Sequence, residues 1–261
     1  MNDERIAEHA EELYAALRAR HTVPPLTERE PGIRIEDAYR ISQRLLALRL
    51  ADGERLVGKK IGVTSKAVQR MLDVHQPDFG YLTDRMRYDD GAEMPISREL
   101  IQPRAEGEIA FLLKRDLVGP GVTPADVIAA TESVMPCFEV VDSRIRDWKI
   151  RVEDTVADNA SSGLFALGRE ARPPSGFDFF SCGMVVEKNG EIVSTGAGAA
   201  ALGSPLVCVA WLADTLGGYG VPLRAGDVIL SGSLVPLAPV RPGDRMRVTI
   251  GGLGSASVVF T

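Results

Sequence analysis

The stretch from Ile101 to Leu113, I-Q-P-R-A-E-G-E-I-A-F-L-L, constrains this chain more than any other. From Glu106 onward it alternates as a strand does: Glu106, Glu108, Ala110 and Leu112 face one way, and Gly107, Ile109, Phe111 and Leu113 face the other. Beyond Ile109 both faces are apolar, the pattern of a strand covered on two sides. Two carboxylates therefore stand side by side where a buried strand begins. Two unit charges ~4 Å apart repel by roughly 4 kcal/mol at an effective dielectric near 20. Either the acids are solvated at an exposed strand end, or a proton, a basic partner or a bound cation offsets that repulsion.

A third carboxylate bears on the choice. Ser133 to Val141, S-V-M-P-C-F-E-V-V, is an apolar run of strand length with Glu139 near its middle. An acid inside such a run calls for a partner or a metal. Three carboxylates on two strands, with water completing the shell, suit a hard divalent ion such as Mg2+ or Mn2+. Zinc fits less well, because His9, His21 and His75 are scattered and no Cys or His pair has ligand spacing.

The remaining chain sets the frame for these acids. Its 261 residues allow one large domain, or a main domain with an appendage. A formal net charge of -6 and the lack of a basic cluster exclude nucleic acid as an expected partner. The cysteines, Cys137, Cys182 and Cys208, are an odd, widely spaced set that implies no disulfide framework and fits a reducing cytoplasm. The charged N-terminus is no signal peptide, and no apolar run is expected to span a bilayer. Residues 3–20 carry Ile6, Ala10, Leu13 and Leu17 at helical spacing, and Ala38, Ile41, Leu45 and Leu48 mark a second helix over about 35–50, stopped by Gly53. These helices predict an N-terminal cap over residues 1–55, ahead of a β-rich catalytic domain over 56–261.

Leu56 to Val63 reads as a strand in which only one of the adjacent Lys59 and Lys60 can look inward. Thr64 or Ser65 then caps a short helix through Met71 and Leu72, followed by a turn, 73–80, that holds Asp78. Thr123 and Pro124 open a helix to about Ser133. The run 156–163 offers Asn159, Ser161 and Ser162 either to a ligand or to a capped turn. After residue 180 a K-N-G-E hairpin, a helix from Ser204 to Leu216 and strands around R-x-G-D turns predict α+β architecture with a large, partly closed mixed sheet. The run G-A-G-A-A-A at 196–201 has dinucleotide-loop spacing, but it follows a hairpin and no βαβ unit surrounds it.

Taken together, G-K-K-I-G-V-T-S-K at 58–66, Q-P-D-F-G at 76–80, Q-P-R-A-E-G-E-I-A at 102–110, F-E-V-V-D-S-R-I-R-D-W-K-I at 138–150, V-A-D-N-A-S at 156–161 and I-L-S-G-S at 229–233 carry a resemblance. The chain resembles the 2-hydroxypenta-2,4-dienoate hydratases of the fumarylacetoacetate-hydrolase-like superfamily. The resemblance implies a mixed β-roll or barrel core with a helical cap, and one divalent cation held by Glu106, Glu108 and Glu139. It places Lys60 and Asp78 at the substrate, with Asn159, Ser161, Ser231 and Gly232 as substrate-binding residues. Ser231-Gly232-Ser233 departs from the family's common Thr-Gly-Ala.

The implied substrate is a 2-hydroxy-dienoate, the enol of a 2-oxo acid, and the implied reaction is hydration to 4-hydroxy-2-oxopentanoate in meta-cleavage catabolism of aromatic compounds. The alternatives on the same scaffold are a 2-oxo-dienedioate decarboxylase of the 4-oxalocrotonate type and an acylpyruvate hydrolase. The resemblance separates them at Asp78, where related decarboxylases typically carry an apolar residue. It also implies a cytoplasmic homo-oligomer built as a pentamer or decamer, with association with neighbouring pathway enzymes.

Overall fold

A computed structural model describes residues 1–71 and 73–261. The N-terminal helix Asp3–Ala19 starts at Asn2, whose side chain accepts the Arg5 N–H at 2.9 Å, and it buries Ile6, Ala10, Leu13 and Ala16 along one stripe. That stripe packs with Ala38 and Ile41 of the helix Ile35–Ala51 and with Val156 and Ala157 of a later helix, Val152–Ala157, in one apolar cluster. The short helix after Ser65 runs Lys66–Met71; Leu72, its last expected residue, lies outside the described residues.

Two sheets form the rest of the frame. The larger runs in the order Asp78–Thr83, Leu56–Gly62, Val228–Leu230, Arg104–Leu113, Thr131–Val141, Ser162–Leu167, Arg87–Asp89, and Ala238–Pro239 adds to the Arg104 strand. The smaller runs Glu93–Met94, Gly254–Phe260, Arg245–Ile250, Gly183–Lys188, Glu191–Ala197. Both are mixed, and among the described residues neither closes into a barrel: the large sheet ends in two separate edge strands, so the expected partial closure takes the form of two packed open layers. Gly107 shows how closely they meet. A Cβ built there would lie 2.8 Å from Met184 Sδ and 3.0 Å from Val248 Cγ2 of the smaller sheet. The main core fills this interface with Ile61, Phe79, Ile109, Phe111, Phe138 and Val140 from the large sheet.

Two expectations need correction. The helix opened by Thr123 and Pro124 ends at Ala130, because Thr131 to Val141 is claimed as one long strand. Residues 198–217 do satisfy the length and hydropathy of a membrane span, 20 residues at mean hydropathy 1.5. In the fold they make a 3-10 turn at Gly198–Ala200 and a core helix, Pro205–Gly217, that buries Leu206, Cys208, Val209, Leu212, Ala213 and Leu216.

Candidate active site

Register brings the acids together. In the antiparallel pair of Arg104–Leu113 with Thr131–Val141, Glu106 lies directly opposite Glu139, and Glu108 opposite Cys137. All three carboxylates share the sheet face turned away from the smaller sheet, and each offers an oxygen within 4.8 Å of the others. The same face continues inward as a second apolar cluster of Ala110, Met135, Cys137, Phe165, Val228 and Leu230. The acids thus sit at the polar end of a face whose other end is dry.

Lys60 joins this face through two further pairings. It lies beside Leu230 in parallel register, and Leu230 lies opposite Ala110. Its ammonium stands 3.2 Å from Glu139 Oε1, and both side chains are buried. Lys59 points through the opposite face and bonds Asp227 at 2.7 Å. The adjacent lysines therefore divide as strand alternation requires.

Asp78 opens the edge strand Asp78–Thr83 instead of sitting in a turn, and it lies opposite Gly62. A Cβ on Gly62 would come within 2.2 Å of Asp78 Oδ1 and 3.5 Å of Lys60 Nζ. Gly62 leaves the room in which the two side chains approach. Gly62 is absent from the expected site residues, although a glycine inside a strand marks a close approach. On the Val228 side, Gly232 N–H donates to Glu108 Oε2 at 2.8 Å. Its φ of +94° suits glycine, and an added Cβ would strike Thr64 at 2.4 Å. Ser231 is buried, and its hydroxyl has no partner.

Asn159 and Ser161 are placed differently. The Asn159 amide is spent on the backbone of the edge strand: Oδ1 accepts Tyr81 N–H at 2.8 Å and Nδ2 donates to Tyr81 O at 2.9 Å. The Ser161 hydroxyl lies 3.1 Å from Thr155 Oγ1. Asn159, Ala160 and Ser161 are all left-handed, with φ of 55°, 50° and 54°. Outside glycine that conformation costs about 1–2 kcal/mol per residue. Arg144 braces the segment, donating to both Asp158 Oδ1 at 2.5 Å and Asp158 O at 2.7 Å. Asn159 ties this run to the strand that carries Asp78, while the Ser161 hydroxyl pairs with the preceding helix.

The electrostatics match the geometry. Burial pushes Glu106 up to about 8, with the Glu139 carboxylate adding to it. Burial raises Glu108 well above the ordinary carboxylate range, again with Glu139 and then Glu106 contributing. Burial also raises Glu139, against the opposing pull of Lys60. Burial raises Asp78, countered by Lys60 and by the Gly62 N–H. Burial works against charge on Lys60, but the carboxylates of Glu139, Asp78, Glu106 and Glu108 outweigh it and hold the ammonium protonated. Ionised carboxylates within 4.8 Å of one another would repel by at least roughly 3.5 kcal/mol per pair at an effective dielectric near 20. Among the described residues Glu108 Oε1 and Glu139 Oε2 lack a hydrogen-bond partner, and Glu139 Oε1 faces the Lys60 ammonium at 3.2 Å. All-oxygen donors this close together, two of their oxygens buried without a partner, fit a divalent cation.

Residues 57–260 match the model of the fumarylacetoacetate (FAA) hydrolase C-terminal family. The chain is 56% identical to the 2-hydroxyhexa-2,4-dienoate hydratase of Comamonas testosteroni over the full length of both. It is 68% identical to the 2-hydroxypent-2,4-dienoate hydratase of Pseudomonas putida over 85% of this chain and 100% of that one. Among solved structures, the 4-oxalocrotonate decarboxylase from Pseudomonas putida G7, complexed with magnesium and adipate, superposes with a TM-score of 0.96 at 38% identity, covering 100% of this chain and 99% of that one.

Proposed function

We infer that this chain, which belongs to the fumarylacetoacetate hydrolase family, is a hydratase that adds water to 2-hydroxypenta-2,4-dienoate or a substituted analogue, giving 4-hydroxy-2-oxopentanoate or its homologue. High full-length identity to hydratases of these dienoates supports the reaction over decarboxylation or acylpyruvate hydrolysis. The single structural observation that carries the site is the acidic triad of half-buried Glu106 and buried Glu108 and Glu139, with Lys60 against one member and Asp78 one glycine away.

Glu106, Glu108 and Glu139 hold the cation, Mg2+ or Mn2+. A bound ion would supply Lewis acidity that stabilises negative charge developing on the substrate. The ammonium of Lys60 keeps positive charge beside Glu139 and faces the oxygen on which negative charge grows. Ser231 has a buried, unengaged hydroxyl suited to hydrogen-bonding a substrate oxygen. Asp78, held towards its protonated form by burial, gives a proton to carbon 5 of the dienol as the 2-hydroxyl loses one, leaving the 2-oxo-3-enoate. As a carboxylate it then takes a proton from water, whose hydroxyl bonds carbon 4, while carbon 3 gains from solvent a proton equal to the one the 2-hydroxyl released to it. Atoms balance with water as the only co-reactant. Gly232 orients Glu108 through its N–H, and Asn159 and Ser161 act by fixing the segment behind Asp78.

Residues 1–55 act as a cap on a catalytic unit over 56–261, in a cytoplasmic homo-oligomer. Light scattering that found only a 28.1 kDa particle would overturn the assembly. The reaction is tested by supplying 2-hydroxypenta-2,4-dienoate and magnesium and following the products by proton NMR. Formation of 4-hydroxy-2-oxopentanoate, lost on chelation and restored by magnesium or manganese, is expected; turnover undiminished in metal-free protein would contradict it.

A further inference from the structure

Away from the acidic triad, a cavity of about 390 Å³ opens between the N-terminal helices and the large sheet. Five arginines line it, Arg18, Arg20, Arg49, Arg85 and Arg98, with two carboxylates, Glu54 and Glu99. Its floor is internally paired. The side chain of Glu54 is fully buried, receiving Arg49 Nε at 2.8 Å and Arg18 Nη2 at 2.8 Å. Glu99 accepts the Tyr88 hydroxyl at 3.0 Å. The rim is unpaired. Arg85 bonds only the Asp52 carbonyl and Arg20 only the Ser97 carbonyl, both neutral acceptors. Among the described residues the Arg98 guanidinium makes no hydrogen bond and none of Arg20, Arg85 and Arg98 closes an ion pair, although the charge of Arg85 is felt by the Asp52 carboxylate.

We propose that this cavity binds a small anion carrying at least two negative charges, a polycarboxylate or a phosphoryl group, clamped by Arg20, Arg85 and Arg98. Guanidinium forks match both oxygen arrangements and bind them bidentately. The paired floor of Arg18, Glu54 and Arg49 sets the depth, and Leu100 and Leu164 supply an apolar wall. A ligand of this size lies within the range of ordinary small-molecule sites. The Arg49 guanidinium also donates to Thr83 Oγ1 at 3.0 Å, at the far end of the strand that begins with Asp78. The cavity thus abuts an element of the active site without sharing a residue with it. The inference stands on these residues alone, independent of the hydration reaction.

Isothermal titration calorimetry on the metal-loaded protein at low ionic strength tests it, with tricarballylate and inorganic phosphate as probes. The comparison protein is the double variant Arg20→Gln, Arg98→Gln, both exposed positions. Any anion bound at the metal is common to both proteins, and equal dienoate turnover verifies the fold of the variant. At least about a tenfold loss of affinity for one probe is expected, because hydrogen bonds to charged groups are removed. The probe that loses more identifies the carboxylate or phosphoryl chemistry, and added salt should weaken it in the wild type. Equal affinity in both proteins, or no binding at millimolar probe, would overturn the proposal. So would a change of particle size in the variant by light scattering, which would mean that a second copy's carboxylates fill the cavity.

Discussion

Replacing Glu106 by glutamine should stabilise the protein without metal and weaken it with metal. Glu106 is the most solvent-accessible of the three acids, and burial with Glu139 nearby lifts it from 4.5 to about 8. A carboxyl whose folded value lies above its unfolded value contributes full stability below about 4.5 and loses it as pH rises through about 8. The whole difference corresponds to up to ~5 kcal/mol at 1.36 kcal/mol per pH unit. Partial exposure at the mouth reduces this to about 2–3 kcal/mol. Glutamine keeps the volume and has no charge to bury, so above pH ~8 the metal-free variant should unfold at higher urea than the wild type, by about 2–3 kcal/mol. With magnesium the order should reverse. Magnesium at 1,000 times its Kd adds about 4.1 kcal/mol to the wild type by mass action, more than the variant's metal-free advantage, and the variant loses most of that gain. Urea unfolding at two pH values, with and without magnesium, reads all four corners. A variant less stable than the wild type in metal-free buffer at high pH would refute the reasoning, because it would mean that Glu106 is stabilised as an anion by the protein alone.

Metal affinity should rise with pH up to about 8, since binding displaces protons from the raised acids; calorimetry in buffers of different ionisation enthalpy would count them. Gly62→Ala puts a methyl 2.2 Å from Asp78 Oδ1, so turnover should fall at least tenfold while calorimetric metal binding persists. Lys60→Met should lower turnover by about 10²–10³ and, by removing the cation 3.2 Å from Glu139, should also shift the pH dependence of metal binding upward. Arg144→Met should destabilise by about 3–5 kcal/mol in chemical unfolding, because it leaves Asp158 buried without its partner.

The three acids were legible because strand alternation and burial are local properties of sequence. The E-x-E spacing fixes Glu106 and Glu108 on one face, and Glu139 interrupts an apolar run. That Glu106 stands opposite Glu139 was not legible, since register depends on the whole sheet. The division of Lys59 and Lys60 was foreseen, but not the partner of Lys59, Asp227, which lies 168 positions away in sequence. Asp78 read as a turn residue because proline and glycine flank it; the strand it opens is completed only by pairing with Leu56–Gly62. Asn159 looked available to a ligand because no local pattern shows a side-chain amide bridging to a backbone 78 residues earlier. The helix over 205–217 follows its local signals, whereas the helix opened by Thr123 stops short because burial of the strand from Thr131 against distant elements overrides propensity.

The most direct measurement places the two reactions of this scaffold in competition. Purified protein with magnesium is given 2-hydroxypenta-2,4-dienoate or a 2-oxo-dienedioate, while proton NMR follows 4-hydroxy-2-oxopentanoate and a carbon dioxide trap follows decarboxylation. The wild type should hydrate the dienoate and release little carbon dioxide. Asp78→Asn should lose about 10²–10⁴ in hydration rate as its proton shuttle is removed, with metal binding kept. Wild-type turnover in Asp78→Asn, or decarboxylation faster than hydration in the unaltered protein, would contradict the account.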